Sequence, residues 1–135
     1  MGDYAASGGV YISTPADYIF AHPTTITGSI GVAIAFLTTE DSLEYIGISK
    51  DGVQTSKFAG WTPELPVTEE LDNIFNNLAE RSYQRFLEVV SESRKKDVSE
   101  INKIAGGRVW IGTDALQIDI IDELGDIEDA IGKAA

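Results

Sequence analysis

The sequence contains no cysteine and a single histidine, His22. The lack of cysteine excludes a disulfide framework, a thiol nucleophile and a metal bound by thiolates. One histidine leaves few options for acid–base chemistry that relies on an imidazole. The acidic residues also lack the calcium-loop pattern of alternating acids, a glycine and a distal glutamate. The sequence therefore shows no metal-binding motif.

Basic residues are scarce and long apolar runs are absent. The chain has 10 Lys and Arg residues against 22 Asp and Glu residues, a formal net charge of −12. Because phosphate groups bind clusters of Lys and Arg, this balance argues against nucleic acid and against an anionic membrane surface as binding partners. The longest uninterrupted apolar run, residues 32–37, is far shorter than the roughly 20 residues that a membrane-spanning helix needs.

What is present is a composition typical of a globular protein. Hydrophobic residues make up 43% and charged residues 24% of the 135 residues, which predicts one domain, residues 1–135, large enough to bury a core. Strand-like and helix-like segments alternate along the chain, and this alternation predicts a layered α/β fold.

The hydrophobic pattern and the turn residues locate the individual elements. Helices are expected at about residues 6–14 and at 40–45 after a threonine cap. A long helix is expected from Thr68 onward, with Tyr83 and Phe86 among the core positions of its apolar period. Asp97 with Glu100 predicts a capping box for a short helix that the glycines at 106 and 107 end. A turn capped by Thr113, buried residues at 120 and 121, and a last helix from Ile127 are expected after it. Strands are expected at 18–21, at 31–37 with both faces buried, at 48–56 and at 109–111. A proline-marked loop is expected at 61–66.

Ser7 is the first candidate for chemistry because small residues surround it at the start of a predicted helix. Its hydroxyl would lie near unpaired helix N–H groups, a substrate backbone could approach closely, and the Gly8 N–H could face an oxyanion. The alternative is that Ser7 is simply an N-cap in a glycine-rich turn. His22 invites a Ser-His-Asp interpretation, but its Ala-His-Pro context favours an exposed turn.

Five segments carry a resemblance to a known family. They are GDYAASGGVY (residues 2–11), FAHP (20–23), TITGSIGV (25–32), GRVWIG (107–112, followed by Ala115) and IDELG (121–125). In order and spacing they resemble the signal peptide peptidase A, or protease IV, family of Ser/Lys peptidases. The resemblance covers nearly the whole chain and implies a ClpP/crotonase-like layered fold.

The resemblance implies a role for three residues. Ser7 would be the nucleophile, and Gly8 would contribute a backbone N–H to the oxyanion hole. Ser29 falls where the family has a second serine, whose hydroxyl helps to orient the catalytic lysine. The alternative for Ser29 is an ordinary Thr-Gly-Ser turn. The resemblance implies neither a metal nor an organic cofactor.

The chain departs from the family at the general base. In single-domain members a lysine follows the serine on the same chain, and an alignment without gaps places Ala59 at that position. Lys57 is two residues away, a displacement of roughly 6–7 Å along an extended chain, and Lys50 is farther. We expect both to be solvated surface lysines. Trp61, near the proline loop, is expected to line a peptide groove or an oligomer contact.

The long, two-repeat members of the family suggest where the base comes from. Their C-terminal half carries the serine, and their N-terminal half supplies the lysine. Met1 stands six residues before Ser7, at a place where the family has a buried strand. We therefore expect this chain to be a fragment, the C-terminal peptidase half, without the upstream strands and the repeat that bears the lysine.

The resemblance implies hydrolysis of signal peptides or similar apolar peptides through a Ser7 acyl-enzyme. It also implies a homo-oligomer, the N-terminal half as partner, and a location at the bacterial inner membrane with the catalytic domain on the periplasmic side. Two alternatives remain open: a catalytically silent half that completes a groove and holds subunits together, and a crotonase relative that processes acyl-CoA. The motif around Ser7 weakens the last, because those enzymes rely mainly on backbone donors.

Overall fold

Short strands alternate with helices along the chain, as the computed structural model, which describes residues 1–135, shows. The strands are β1 (Tyr4–Ala6), β2 (Phe20–Ala21), β3 (Ile26–Gly28), β4 (Val109–Ile111) and β5 (Glu123–Leu124). The helices are α1 (Gly8–Ser13), α2 (Glu40–Tyr45), α3 (Glu69–Arg94), α4 (Val98–Ile104), α5 (Gly112–Gln117) and α6 (Ile127–Ala134). The predicted mixed α/β class is confirmed.

The chain divides into two compact units. The first unit comprises Met1–Val32 together with Arg81–Ala135, and the second comprises Ala33–Glu80. The first unit contains all five strands, whereas the second contains α2 and the first part of α3. No helix is both long enough and apolar enough to cross a membrane.

Two small sheets organise the first unit. In the three-stranded sheet, β3 lies between β1, which runs parallel to it, and β4, which runs antiparallel. The second sheet pairs β2 with β5 in parallel. The parallel pairing of β1 and β3 matters for the site, because it brings their carboxyl ends together.

The core of the first unit gathers side chains from α1, α3, α4 and α5 around these strands. Its buried members are Val10, Ile19, Ala21, Ile30, Phe86, Leu87, Val90, Ile101, Ala105, Ala115, Ile120 and Ile121. The predicted burial of residues 120 and 121 and of Phe86 is confirmed. Tyr83 is half-buried against this core, and its hydroxyl donates to Asn102 Oδ1 at 2.6 Å.

Leu87 provides a test of this core. Its side chain is 1% exposed, so Leu87→Ala removes buried methyl groups and leaves a cavity. We expect the free energy of unfolding to fall by about 2–5 kcal/mol. Leu78→Ala is the matched control on the same helix, because Leu78 is 57% exposed. Denaturant unfolding of both variants measures the difference, and equal losses would contradict the assignment of Leu87 to the core.

Most helix boundaries follow the predicted signals. The Thr68 hydroxyl accepts the Leu71 N–H at 3.3 Å ahead of α3, and Asp97 with Glu100 forms the predicted capping box of α4. The prediction that Thr113 caps a helical turn is wrong. Helix α5 already begins at Gly112, and Thr113 lies inside it.

The prediction of a strand at 31–37 with both faces buried is wrong. Strand β3 ends at Gly28 because Ser29 has a φ of 53° and directs its N–H to Arg108 O at 2.6 Å. Residues 32–37 beyond it are exposed and belong to no strand. The strand predicted at 48–56 is also wrong, since that segment has no regular structure. An apolar run shows that a segment tends to avoid water, but a strand also needs a neighbouring backbone to pair with.

Candidate active site

Ser7 occupies a strained turn between a strand and a helix. It follows the last residue of β1 and precedes α1, and its backbone has φ 52° and ψ −112°. A residue other than glycine adopts a positive φ at a cost of about 1–3 kcal/mol, and surrounding contacts must hold it there. In known hydrolases a sharp strand-to-helix turn of this kind presents a serine hydroxyl to solvent.

Ser7 is exposed, and its hydroxyl does not cap the helix. Ser7 holds the N-cap position of α1, yet its side chain makes no capping hydrogen bond. Its backbone takes part in the turn instead, since Ser7 O accepts the Tyr11 N–H at 3.0 Å. The interpretation of Ser7 as a simple capping residue is therefore wrong, and the hydroxyl remains available to a ligand.

Gly8 is the first residue of α1, so its N–H has no acceptor within the helix. Gly8 is exposed, and a Cβ added there would meet no atom within 4 Å. The glycine therefore relieves no internal clash; it keeps the space beside Ser7 open. An N–H group in this position, directly after the serine, can donate to a substrate oxygen.

Ser29 lies at the end of the neighbouring strand. Ala6 pairs with Gly28 in the parallel register of β1 and β3, so Ser7 and Ser29 are the next residues on each strand. The Ser7 N–H donates to Gly28 O at 2.8 Å, which joins the two strand ends directly. Ser29 is half-buried and, like Ser7, has a positive φ, 53°. The structure thus brings the two serine-bearing turns together.

Two glycines permit the close approach that shapes this region. A Cβ on Gly28, whose φ is +78°, would lie 2.6 Å from Trp110 Cδ1 and 2.8 Å from Arg108 O. A Cβ on Gly31 would lie 2.8 Å from Gly107 N. A larger residue at Gly28 would displace β4 from β3, and one at Gly31 would displace the backbone at Gly107. The two motifs around Gly28 and Gly107, far apart in sequence, therefore depend on each other in space.

His22 lies near the opposite end of the sheet from Ser7. It is exposed, and its Nδ1 is 3.0 Å from Thr24 Oγ1. Its carbonyl accepts the Thr25 N–H at 2.9 Å just before β3 begins, whereas Ser7 follows the carboxyl end of the adjacent strand. The predicted exposed turn is confirmed, and the structure offers no Ser-His pair.

Lys50 and Lys57 are solvated, as predicted, and each has a carboxylate partner in the second unit. Lys57 forms an ion pair with Glu70, and its side chain is 67% exposed. Lys50 Nζ donates to Thr62 Oγ1 at 2.6 Å and to Glu64 Oε2 at 2.9 Å.

The carboxylate beside Lys50 is charged. Hydrogen bonding that involves Thr62, followed by that of Lys50, lowers the pKa of Glu64 to about 2, so this carboxylate is charged at neutral pH. A general-base lysine needs a desolvated amine, whereas the Lys50 amine is exposed and paired with Glu64. Ala59 lies in a turn, where its N–H donates to Ser56 O at 3.1 Å.

Trp61 lies in an aromatic cluster of the second unit. Its ring meets those of Phe36 and Phe75 with centroids 5.2 Å and 5.7 Å away, and its Nε1 donates to Pro66 O at 3.1 Å. It also lines a cavity of about 230 Å³ with Phe58. A role for Trp61 in a peptide groove or an oligomer contact stays a prediction.

Sequence reasoning missed two buried threonines that tie β3 to the segment carrying Ser7. Thr25 and Thr27 are both 0% exposed, and their hydroxyls donate to Gly2 O and Ala5 O, each at 2.8 Å. The alternation of these two threonines with Ile26 was the only sign in the sequence that they share one face of an extended segment. No group of three or more His, Asp or Glu side chains comes together as a metal site would require.

The site thus defines an α/β protein with an exposed serine on a strained strand-to-helix turn, an arrangement typical of hydrolases with a serine nucleophile. Residues 1–135 match the sequence model of peptidase family S49, and the chain belongs to this family. The predicted relationship to the signal peptide peptidase A and protease IV family is confirmed.

Named relatives cover the whole chain but extend well beyond it. The chain is 45% identical to Protease 4 of Salmonella typhi over 135 residues, which are 100% of the chain and 22% of that protein. It is 43% identical to Protease 4 of Haemophilus influenzae over 134 residues, 99% of the chain and 22% of the relative. A putative signal peptide peptidase SppA of Enterococcus faecium is 34% identical over 128 residues, 94% of the chain and 37% of the relative. The chain thus spans about a fifth of the Protease 4 relatives.

Proposed function

We propose that this chain is the serine-bearing part of a serine endopeptidase of the signal peptide peptidase A type. One observation carries the proposal: Ser7 is held at φ 52° on an exposed turn and its hydroxyl does not cap the helix. A backbone strained at this point, with a side chain that serves no structural bond, is expected of a functional residue. Membership of peptidase family S49 makes peptide hydrolysis the reaction to assign to it.

The chemistry follows from the serine. Ser7 Oγ attacks the carbonyl carbon of the scissile peptide bond while a base takes the hydroxyl proton. The Gly8 N–H donates to the oxygen as it becomes negative. The tetrahedral intermediate collapses as the C–N bond breaks, and the base returns the proton to the leaving amine. Water then hydrolyses the acyl ester, which restores the Ser7 hydroxyl and releases the new carboxyl terminus.

The base is a lysine supplied from outside this chain. The lysines closest in sequence to the family position, Lys50 and Lys57, are exposed and ion-paired, whereas a general-base lysine needs a desolvated amine. The Protease 4 relatives are several times longer than this chain and have room for a second, lysine-bearing half. Ser29 would orient that lysine from the strand end beside Ser7.

The broader properties are proposed from the family. The fold is the ClpP/crotonase-like layered fold, here as its C-terminal part, to which the observed α/β alternation corresponds. The substrates are signal peptides or similar apolar peptides. The partners are the N-terminal half of the same enzyme and further copies of it, at the bacterial inner membrane on the periplasmic side.

A fluorophosphonate probe tests the proposal, because it reacts covalently with activated serine hydroxyls. The assembled enzyme, meaning this chain together with the lysine-bearing half, should gain one adduct, located at Ser7 by peptide mass spectrometry. Ser13 is the internal control, since its hydroxyl donates to Gly9 O at 2.7 Å and is already engaged. An adduct that persists in Ser7→Ala, or the absence of any adduct, would contradict the proposal.

The second candidate is a catalytically silent half that completes a groove and holds subunits together. The pairing of Lys50 and Lys57 with carboxylates favours it, because neither of these lysines is desolvated as a general base needs to be. This candidate predicts no probe adduct even in the assembled enzyme, together with loss of assembly when the chain is removed.

Ser29 can be tested separately in the assembled enzyme. If its hydroxyl accepts a hydrogen bond from the lysine, Ser29→Ala should raise the activation free energy by about 1–3 kcal/mol. This rise corresponds to a decrease in kcat of about 5- to 150-fold. The basic-side pH dependence of kcat should shift, while thermal stability stays unchanged. The turn alternative predicts a modest loss of stability with an unaltered pH–rate profile. Measuring both quantities on one variant decides between the two.

A further inference from the structure

Two buried threonines, Thr27 in β3 and Thr25 just before this strand, make the same kind of bond to the segment that precedes Ser7. The Thr27 hydroxyl donates to Ala5 O at 2.8 Å, and the Thr25 hydroxyl donates to Gly2 O at 2.8 Å. Both residues are 0% exposed. Ala5 is two residues before Ser7, whereas Gly2 is five residues before it.

The Thr27 bond acts where β1 ends and the strained turn begins. Ala5 lies opposite Thr27 in the register, and Ala6 lies opposite Gly28. One residue farther along, the Ser7 N–H donates to Gly28 O at 2.8 Å. The same Thr27 hydroxyl is 3.6 Å from Met1 Sδ, a weaker acceptor. Its main bond therefore fixes the last peptide units of β1 against β3.

A fixed strand end is what the conformation of Ser7 requires. A φ of 52° persists only when surrounding contacts outweigh the preference for an ordinary backbone. If the end of β1 could twist away from β3, Ser7 could relax to a negative φ. That change would redirect both its Oγ and the N–H of Gly8, whereas a twist near Gly2 would leave the turn in place.

We propose that Thr27 is a positioning residue: through its bond to the Ala5 carbonyl, its buried hydroxyl holds the Ser7 turn in the geometry needed for nucleophilic attack. Thr25, with an equivalent bond just before the start of β3, contributes to stability alone. This inference rests on the proposed function for its catalytic consequence, but not for its structural one.

The test compares Thr27→Val with Thr25→Val, because valine keeps the shape of threonine and removes the hydroxyl. Amide hydrogen exchange at Ser7, followed by NMR on the 135-residue chain, reports on the bond to Gly28 O. Exchange at Ser7 should accelerate about tenfold or more in Thr27→Val relative to Thr25→Val at matched global stability. Thr27→Ser, which keeps the hydroxyl, should restore slow exchange. Thr27→Ala is the second hydroxyl-free variant if valine prevents folding.

The catalytic consequence is measured in the assembled enzyme. The rate constant for fluorophosphonate labelling of Ser7 should fall about tenfold in Thr27→Val, with kcat reduced and KM nearly unchanged, and should stay near normal in Thr25→Val. Equal effects of the two valine variants, or slow exchange at Ser7 in Thr27→Val, would overturn the inference. Absence of labelling before any substitution would defeat the proposed function, and the exchange experiment would still decide the role of Thr27.

Discussion

Ser7→Ala in the assembled enzyme is expected to reduce kcat for peptide cleavage by several orders of magnitude, on the order of 10³–10⁶-fold. The hydroxyl is the only group on the strained turn that can form the acyl intermediate, so its loss removes the covalent route. Folding should hardly change. Since the Ser7 side chain makes no capping bond, its removal should cost less than the roughly 1 kcal/mol of a lost cap.

The measurement pairs kcat on a peptide substrate with thermal unfolding of the same preparation. Ser13→Ala is the control, because it removes a hydroxyl from the neighbouring helix without touching the turn. Its kcat should equal that of the unsubstituted enzyme. Near-normal cleavage by Ser7→Ala would show that another residue is the nucleophile.

The 135-residue chain alone is expected to have little or no peptidase activity. Without a neighbouring base, a serine hydroxyl near its ordinary pKa is a poor nucleophile. Activity should appear when the lysine-bearing half is supplied, with a gain of several orders of magnitude, comparable to the loss when a member of a catalytic set is removed. Turnover of a fluorogenic peptide, measured with and without that half, gives the comparison.

Two substitutions sharpen this second prediction. If the chain alone does show turnover that depends on Ser7, Lys57 becomes the candidate base, and Lys57→Ala should abolish the activity. Lys50→Ala should leave it intact, since Lys50 lies farther along the chain from the family position at Ala59 than Lys57 does. If both variants keep their turnover, neither lysine is the base.

The elements that could be predicted from the sequence are those with local signals. Helix α3 and its Thr68 cap, the capping box of α4 and the strand at 109–111 were all predictable, because caps, glycine stops and the 3.6-residue period act within a few residues of the chain. The apolar run at 31–37 led to a wrong prediction of a strand, because a strand also needs a neighbouring backbone to pair with. After β3 ends at Gly28, the structure shows no strand over these residues.

The candidate site was predictable only as a set of residues. The small residues around Ser7 and the ordered motifs drew attention to Ser7, Gly8 and Ser29, but they did not show how these positions are related. Their juxtaposition comes from the parallel register of β1 and β3, a pairing between residues 22 apart in sequence. The buried bonds of Thr25 and Thr27 depend on that same register and were missed for the same reason.

The α/β alternation, the family and the candidate nucleophile could be predicted from the amino-acid sequence alone, since each depends on local patterns or on the order of the motifs. The positive φ of Ser7, the lack of a capping bond from its hydroxyl, and the pairing of Lys50 and Lys57 with Glu64 and Glu70 are visible only in the folded chain. Strain, burial and ion pairing depend on contacts between segments that are distant in sequence. Local propensity specifies the elements, and the packing of one element on another specifies the geometry of the site.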